Sequence, residues 1–209
     1  MNLKFSLMIF FVSVLILTNR AFSQAAKPTD EDLSHWGGYL DFGLQNSIVK
    51  NDVAEQQGFP SSFLGFTMNL GAFKDYYLIG VKISGDIPDD KKRFSNSTTQ
   101  GTMSSHVVLA QFSVHGGLIS PKINVPIAND LFIVGAFNAG YMWAFAEERS
   151  ISGCSDCDVE ELDVSGGPYL EPTAYLVYSF IGIGVGYSHY FNSDYKSKLE
   201  LKLSLFIYQ

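Results

Sequence analysis

A serine, a histidine and a glutamate stand at the ends of two neighbouring predicted strands. Ser104 and His106 lie two residues apart on one face of a strand, and Glu147 follows the end of the next strand. Nucleophilic hydrolysis needs a nucleophile, a base and an orienting group in such proximity. One hypothesis is therefore a lipid-modifying hydrolase that uses these three residues. The alternative is that they are separate polar residues where strands meet loops.

The only two cysteines, Cys154 and Cys157, lie in the sequence Cys-Ser-Asp-Cys. Redox dithiols of this spacing normally open a helix, and the surrounding sequence does not predict one. A zinc site would need two further ligands, and this segment contains no histidine. The pair therefore predicts a local disulfide in an oxidising compartment and no metal site.

The same segment is acidic. Asp156, Asp158 and Glu160 alternate with other residues, and clustered carboxylates can bind Ca²⁺. The glycine that a compact EF-type loop needs is missing. These three residues form a candidate cation-binding loop, with a solvated acidic loop as the alternative.

The composition excludes two broad classes of protein. Aromatic residues make up 14% of the 209 residues and charged residues 17%, whereas a disordered chain has few aromatics and many charges. The formal net charge is −7 and there is no basic block, so no nucleic-acid partner is expected. The sequence predicts no cofactor.

The N-terminal segment is typical of a secretory signal. Lys4 precedes an apolar run over 5–17, and small residues favour cleavage after Ser23. A run of about 13 residues is short for a membrane-spanning helix, which needs about 20. We predict a signal peptide over 1–23 and a periplasmic tail over 24–34, with an uncleaved anchor as the alternative.

The rest of the chain alternates large apolar residues with small or polar ones, which is the period of a β-strand. In the last segment, for example, Leu199, Leu201 and Leu203 fall on one face and Glu200 and Lys202 on the other. Eight such segments are predicted, over residues 35–46, 62–73, 76–85, 103–117, 131–146, 167–179, 180–190 and 198–209.

Charge decides which face of these strands is outside. A soluble barrel shows a charged face to water, but the predicted strands contain few charges, and the small-residue face suits a narrow lumen. The bulky apolar face then meets lipid, as in a transmembrane β-barrel. A soluble, lipocalin-like periplasmic carrier of an apolar ligand is the alternative. The charged strand residues are Asp41, Lys82, Glu171, Lys198, Glu200 and Lys202.

The connections alternate between short and long, which is the usual asymmetry between periplasmic turns and outer loops. The three long polar loops cover 47–61, 86–102 and 147–166. Segments such as 182–187 and 167–172 resemble strands of the small eight-stranded outer-membrane β-barrel family, in the PorT-like and OmpX-like sense. The resemblance implies an all-β, antiparallel, up-and-down transmembrane barrel over 35–209.

An eight-stranded barrel has an interior just wide enough for side chains to fill. Charges in such a place should pair, because an isolated buried charge is costly. We therefore predict a packed polar network in the lumen, with a proton- or ion-conducting path as the alternative. Its predicted members are Asp41, Lys82, Gln111, His115, Glu171, Glu200 and Lys202.

These observations predict a non-enzymatic outer-membrane barrel that acts as a structural or surface-interaction platform. The outer loops would be the contact surface, since loops on a rigid scaffold commonly carry binding residues. The expected partners are outer-membrane lipid, lipopolysaccharide, the outer-membrane assembly machinery and an unknown surface ligand. Lipopolysaccharide phosphates could be bridged to the acidic loop by divalent cations.

Overall fold

Eight long antiparallel strands form the body of the protein. The computed structural model describes residues 36–87, 95–96, 99–100, 105–106, 109–126, 130–146, 150–151 and 163–208. The long strands are β1 (Trp36–Val49), β2 (Ser62–Lys74), β3 (Tyr77–Asp86), β4 (Leu109–Ile119), β5 (Leu131–Ala146), β6 (Gly167–Tyr178), β7 (Ile181–Tyr190) and β8 (Tyr195–Tyr208). Two-residue strands lie at Ser95–Asn96, Thr99–Gln100, Ser105–His106, Ile123–Asn124 and Ser150–Ile151.

Each long strand pairs with the next one along the chain, and β8 pairs with β1, so the sheet closes into a barrel. A path that steps from each residue to its paired residue on the next strand leaves β1 at Gly38 and returns to β1 at Ile48. This offset of ten residues is the shear number of the barrel. For eight strands this shear corresponds to a strand tilt of about 40°. The path runs through Gly38, Ala72, Ile79, Gly116, Ala139, Leu170, His189, Ser197 and Ile48.

The predicted eight-stranded antiparallel barrel is confirmed, with changes at the strand ends. The strand predicted over 131–146 has those bounds, whereas the described strand β4 covers Leu109–Ile119 where the sequence predicts 103–117. The last strand begins three residues earlier than predicted, because a bulge opposite Ile48 and Val49 lets Tyr195 join the sheet. The predicted loop 47–61 also contains a helix, α1 (Asn51–Gln57), which the sequence analysis did not predict.

The outer face of the barrel is apolar. Leu64, Tyr77 and Ile183 are 70%, 69% and 60% exposed, although they are large apolar or aromatic side chains. Among the described strand residues, the outward positions between the two rims carry no charged side chain. This exterior is suited to lipid, so the alternative of a soluble carrier with a hydrophilic outside is wrong. No helix in the described part of the chain is long and apolar enough to cross a membrane.

The two ends of the barrel differ in their connections. At one end, Asp75 and Ser179 adopt left-handed backbone conformations (φ 56° and 57°) in two-residue turns. Both termini of the barrel lie at this end, which is therefore the periplasmic end. At the other end, α1 stops at Gly58 (φ 74°) and buries Ala54 against the barrel mouth.

Small lumen residues make room for large ones that cross the barrel. A Cβ atom at Gly80 would lie 2.5 Å from the Tyr39 hydroxyl and 2.7 Å from His115 Nε2. These two groups are hydrogen-bonded to each other at 2.8 Å in the interior. Glycine at position 80 is therefore what allows this cross-lumen contact.

We expect Gly80→Ala to destabilise the barrel by about 1–3 kcal/mol, the usual cost of overpacking a filled interior. The measurement is the urea midpoint of unfolding in lipid vesicles, followed by tryptophan fluorescence. Gly116→Ala is the matched control, since a Cβ there meets only the Leu78 carbonyl oxygen, at 3.6 Å. Equal midpoints for the two variants would contradict the explanation.

Candidate functional site

Four charged side chains form a closed ring at the centre of the lumen. This charge ring consists of Lys82 from β3, Glu171 from β6, and Glu200 and Lys202 from β8. Lys82 Nζ lies 2.9 Å from Glu200 Oε1, while Lys202 Nζ lies 2.5 Å from Glu171 Oε1 and 3.1 Å from Glu200 Oε2. Lys82 also pairs with Glu171. Each lysine therefore contacts both glutamates, and the ring has no net charge.

The neighbours of the charge ring satisfy its oxygens and leave space for its chains. Ser188 Oγ donates a hydrogen bond to Glu171 Oε2 at 2.7 Å, and Thr173 Oγ1 donates one to Oε1 at 3.3 Å. A Cβ at Gly186 would meet Lys202 Cε and Nζ at 3.2 Å. All four ring residues are at most 3% exposed, so ion pairs and hydrogen bonds with other protein groups replace their contacts with water.

A second polar cluster lies on the outer side of the ring, around Asp86. Its Oδ1 accepts hydrogen bonds from Gln45 Nε2 at 2.6 Å and Ser47 Oγ at 2.9 Å. Its Oδ2 accepts one from Gln111 Nε2 at 2.5 Å. Gln111 Oε1 in turn accepts a hydrogen bond from Lys198, so the Gln111 amide links the Asp86 carboxylate to Lys198.

Aromatic rings surround the Lys198 ammonium. Its Nζ lies 4.9 Å from the centre of the Tyr195 ring and 5.7 Å from that of Tyr190. A cation over such ring faces is stabilised by the ring quadrupoles, and more strongly where water is excluded. Lys198 is therefore held by an amide oxygen and two aromatic faces.

A third polar cluster lies on the periplasmic side of the ring. Asp41 Oδ2 accepts hydrogen bonds from Asn69 Nδ2 and from the Tyr175 hydroxyl, both at 3.1 Å. The Tyr39–His115 hydrogen bond spans the lumen at the same end. Polar contacts thus continue from Asp86 at the outer side to Asp41 at the inner side.

Apolar and aromatic side chains pack together at each end of the lumen, around and beyond the polar clusters. We call these two groups the outer seal and the inner seal. The outer seal includes the buried side of α1 and contains Val49, Ala54, Phe59, Phe63, Leu109, Met142, Val164, Tyr169, Tyr190 and Tyr195. The inner seal lies at the periplasmic end and contains Tyr39, Phe73, Leu78, Ile119, Phe132, Val134, Ala136, Tyr175, Val177 and Phe206.

The structure places all seven residues of the predicted lumen network inside the barrel, at most 3% exposed. It brings four of them together as the charge ring. The other three belong to the flanking clusters: Gln111 to the outer one, and Asp41 and His115 to the inner one.

Sequence reasoning missed Asp86, Lys198 and Gln45 as members of this network. Lys198 shares the parity of Glu200 and Lys202, so the alternation of β8 carried the signal. Asp86 shares the parity of Lys82, but the sequence predicts that this strand ends at residue 85, which places Asp86 in the loop 86–102.

Several candidate residues lie outside the described part of the chain, and the hypotheses about them stay predictions. For His106 only the backbone is described, and it pairs with Ser150. Within the described residues, no group of three or more histidine, cysteine, aspartate or glutamate side chains could hold a metal ion. The undescribed candidates are Ser104, Glu147, Cys154, Asp156, Cys157, Asp158 and Glu160.

No protein-family model and no curated protein matches the sequence. Among solved structures, the chain is similar to Neisserial surface protein A (NspA), with 10% identity over 82% of this chain and 96% of that chain, and a TM-score of 0.48. It is also similar to Ail, the attachment invasion locus protein of Yersinia pestis, in a complex with the heparin analogue sucrose octasulfate: 15% identity, 83% of this chain, 99% of that chain, TM-score 0.44. A second Ail structure gives 13% identity, 83% and 99% coverage and a TM-score of 0.42.

Because the sequence identity to these structures is low, the fold and the membrane location of the protein are inferred from its own structure. Strand register closes the barrel, apolar side chains cover its outside, and polar side chains fill its inside. Antiparallel barrels of this kind span outer membranes. The protein is an outer-membrane β-barrel.

The charge ring predicts a non-additive pair of substitutions. Glu200→Gln alone leaves two lysines with one glutamate, and we expect a loss of about 3–5 kcal/mol in unfolding free energy. Adding Lys82→Met leaves the neutral pair Lys202–Glu171, so the double variant should be more stable than Glu200→Gln. Urea titration in vesicles measures Glu200→Gln, Lys82→Met and the double variant. A double variant that loses the sum of the single losses would contradict this description of the ring.

Proposed function

We propose that this protein is a non-conducting and non-enzymatic outer-membrane barrel, whose outer end serves as a surface for contact with other molecules. The observation that carries the proposal is the filled lumen, in which the charge ring lies between the outer and inner seals. An interior of this kind supports the barrel and gives its loops a rigid base.

The lumen chemistry favours a structural role over transport. Every charge of the ring is neutralised by two opposite charges, so an ion that entered would have to break contacts that water cannot replace. Before reaching the ring it would also cross a layer of apolar side chains from either end. The same layers keep substrates from the buried carboxylates, which supports a non-enzymatic role.

The outer end has a folded cap made of three connections, 50–61, 163–166 and 191–194. Ser165 donates hydrogen bonds to Asp194 Oδ2 from its backbone N–H and from its hydroxyl, both at 2.7 Å. The Asp194 carbonyl oxygen accepts a hydrogen bond from the Lys50 N–H at 2.9 Å. Asp194 therefore ties the three connections together.

The exposed residues of the cap are mostly polar and include several carboxylates. They offer hydrogen bonds and negative charge to a surface ligand, and carboxylates of this kind can reach lipopolysaccharide phosphates through divalent cations. Outer-membrane lipid contacts the apolar exterior, and the assembly machinery would insert the barrel. The exposed polar residues of the cap include Asn51, Asp52, Glu55, Gln56, Asp163 and Asn192.

The purified barrel should carry no ion current. In planar lipid bilayers we expect no steps above baseline, because buried side chains fill the interior of this eight-stranded barrel. Insertion is checked on the same preparation by its change of SDS-gel mobility on boiling. A porin reconstituted alongside verifies that the bilayer reports conductance. Reproducible single-channel steps from the folded band would overturn the non-conducting role.

The cap should loosen when its central carboxylate is removed. We expect Asp194→Ala to speed protease cleavage at 163–166 on intact cells by about tenfold, because the variant loses both Ser165 hydrogen bonds and a loss of about 1.4 kcal/mol of closure changes the open population tenfold. The control is Asp52→Ala, which removes an exposed carboxylate of the same cap. Unchanged cleavage of Asp194→Ala would show that Asp194 does not hold the cap.

A further inference from the structure

The lipid-facing side of β8 is uniform along most of its length. Leu199, Leu201, Leu203 and Leu205 occupy successive outward positions. Shifting the strand by two residues replaces one leucine with another, so lipid contact is the same before and after the shift. A shift by one residue would instead turn the leucines into the lumen. Lipid contact therefore fixes which face points outward but leaves the register of β8 open.

The inward side chains of β8 alternate between positive and negative charge from residue 198 to residue 202. Lys198, Glu200 and Lys202 follow one another in the lumen, and all three are buried. In the native register Glu200 contacts Lys82, at 2.9 Å. A shift of two residues in either direction would put Lys198 or Lys202 in the place of Glu200. Lys82 would then face a lysine in a site buried from solvent, which is a costly arrangement.

We propose that the alternating charges Lys198, Glu200 and Lys202 set the register of the closing strand and thereby select the shear number of the barrel. β8 is the strand whose pairing with β1 closes the sheet. A two-residue shift of β8 against β1, with the register between β7 and β8 kept, would change the shear from ten to eight or twelve, and with it the width and tilt of the barrel. Barrels with shear numbers of eight, ten and twelve would present the same leucines to lipid, and they differ in which charged side chains meet inside the lumen.

Cross-linking between β1 and β8 reads this register directly. In a full-length background with Cys154→Ser and Cys157→Ser, Leu44→Cys is combined with Leu201→Cys, its native partner, or with Leu199→Cys or Leu203→Cys. A two-residue shift moves a residue by about 7 Å, whereas a disulfide needs Cβ atoms about 4 Å apart. Disulfide yield is scored only in the band that changes mobility on boiling, which is the folded barrel.

The first test makes the inward side of β8 uniform, with Lys198→Gln, Glu200→Gln and Lys202→Gln in one chain. We expect the two shifted disulfides to rise at least tenfold relative to the native one. Lys198→Arg with Lys202→Arg keeps the signs and should give the native Leu44–Leu201 product alone. Gly80→Ala weakens the barrel without touching β8, and it should also keep the native product.

The second test moves the charges two residues along the strand, with Lys198→Gln, Glu200→Lys, Lys202→Glu and Ser204→Lys in one chain. The glutamate, now at position 202, lies beside Lys82 only if β8 shifts by two residues. We therefore expect the main disulfide to form between positions 44 and 203. The proposal is overturned if this variant gives no folded Leu44–Leu203 product. It is equally overturned if the uniform variant keeps the native product alone.

Discussion

Charge pairing inside a water-poor lumen is the constraint on which the rest of this barrel depends. Two lysines and two glutamates cannot be held there unless each finds its opposite, because burial of an unpaired charge is costly. Their contacts join β3, β6 and β8, which are far apart in the sequence. The strand register, the lumen width and the small residues beside the ring must all allow these four ion pairs to form.

The glycines and aromatic residues of the lumen provide the space and the enclosure that these ion pairs need. Gly186 leaves room for the Lys202 side chain, and Gly80 leaves room for the contact between Tyr39 and His115. Beyond the polar layers the lumen is closed by apolar side chains, which exclude water from the ring and so strengthen its electrostatic contacts. The result is a barrel with a polar interior, an apolar surface and a folded polar cap.

The alternation of residue types was sufficient to predict the eight strands and the side of each strand that faces the lumen. It could not predict that Glu171 lies beside Lys82, because that contact depends on registers summed across several strand pairs. Helix α1 was missed for another reason. Only Ala54 of its residues is buried, so the helix has no apolar period, and contacts with the barrel mouth stabilise it.

The shear of the barrel also bears on the kind of membrane it fits. At a tilt of about 40°, each residue advances about 2.6 Å along the barrel axis, so the outward apolar side chains of β8 from Leu199 to Ile207 cover about 21 Å. That height is close to the apolar band of outer-membrane barrels, about 25 Å, and short of the hydrocarbon core of an average bilayer, about 30 Å. A thin membrane would meet this belt without deformation. A thicker one would have to compress around it, and this hydrophobic mismatch would favour sorting of the protein to the thinner membrane.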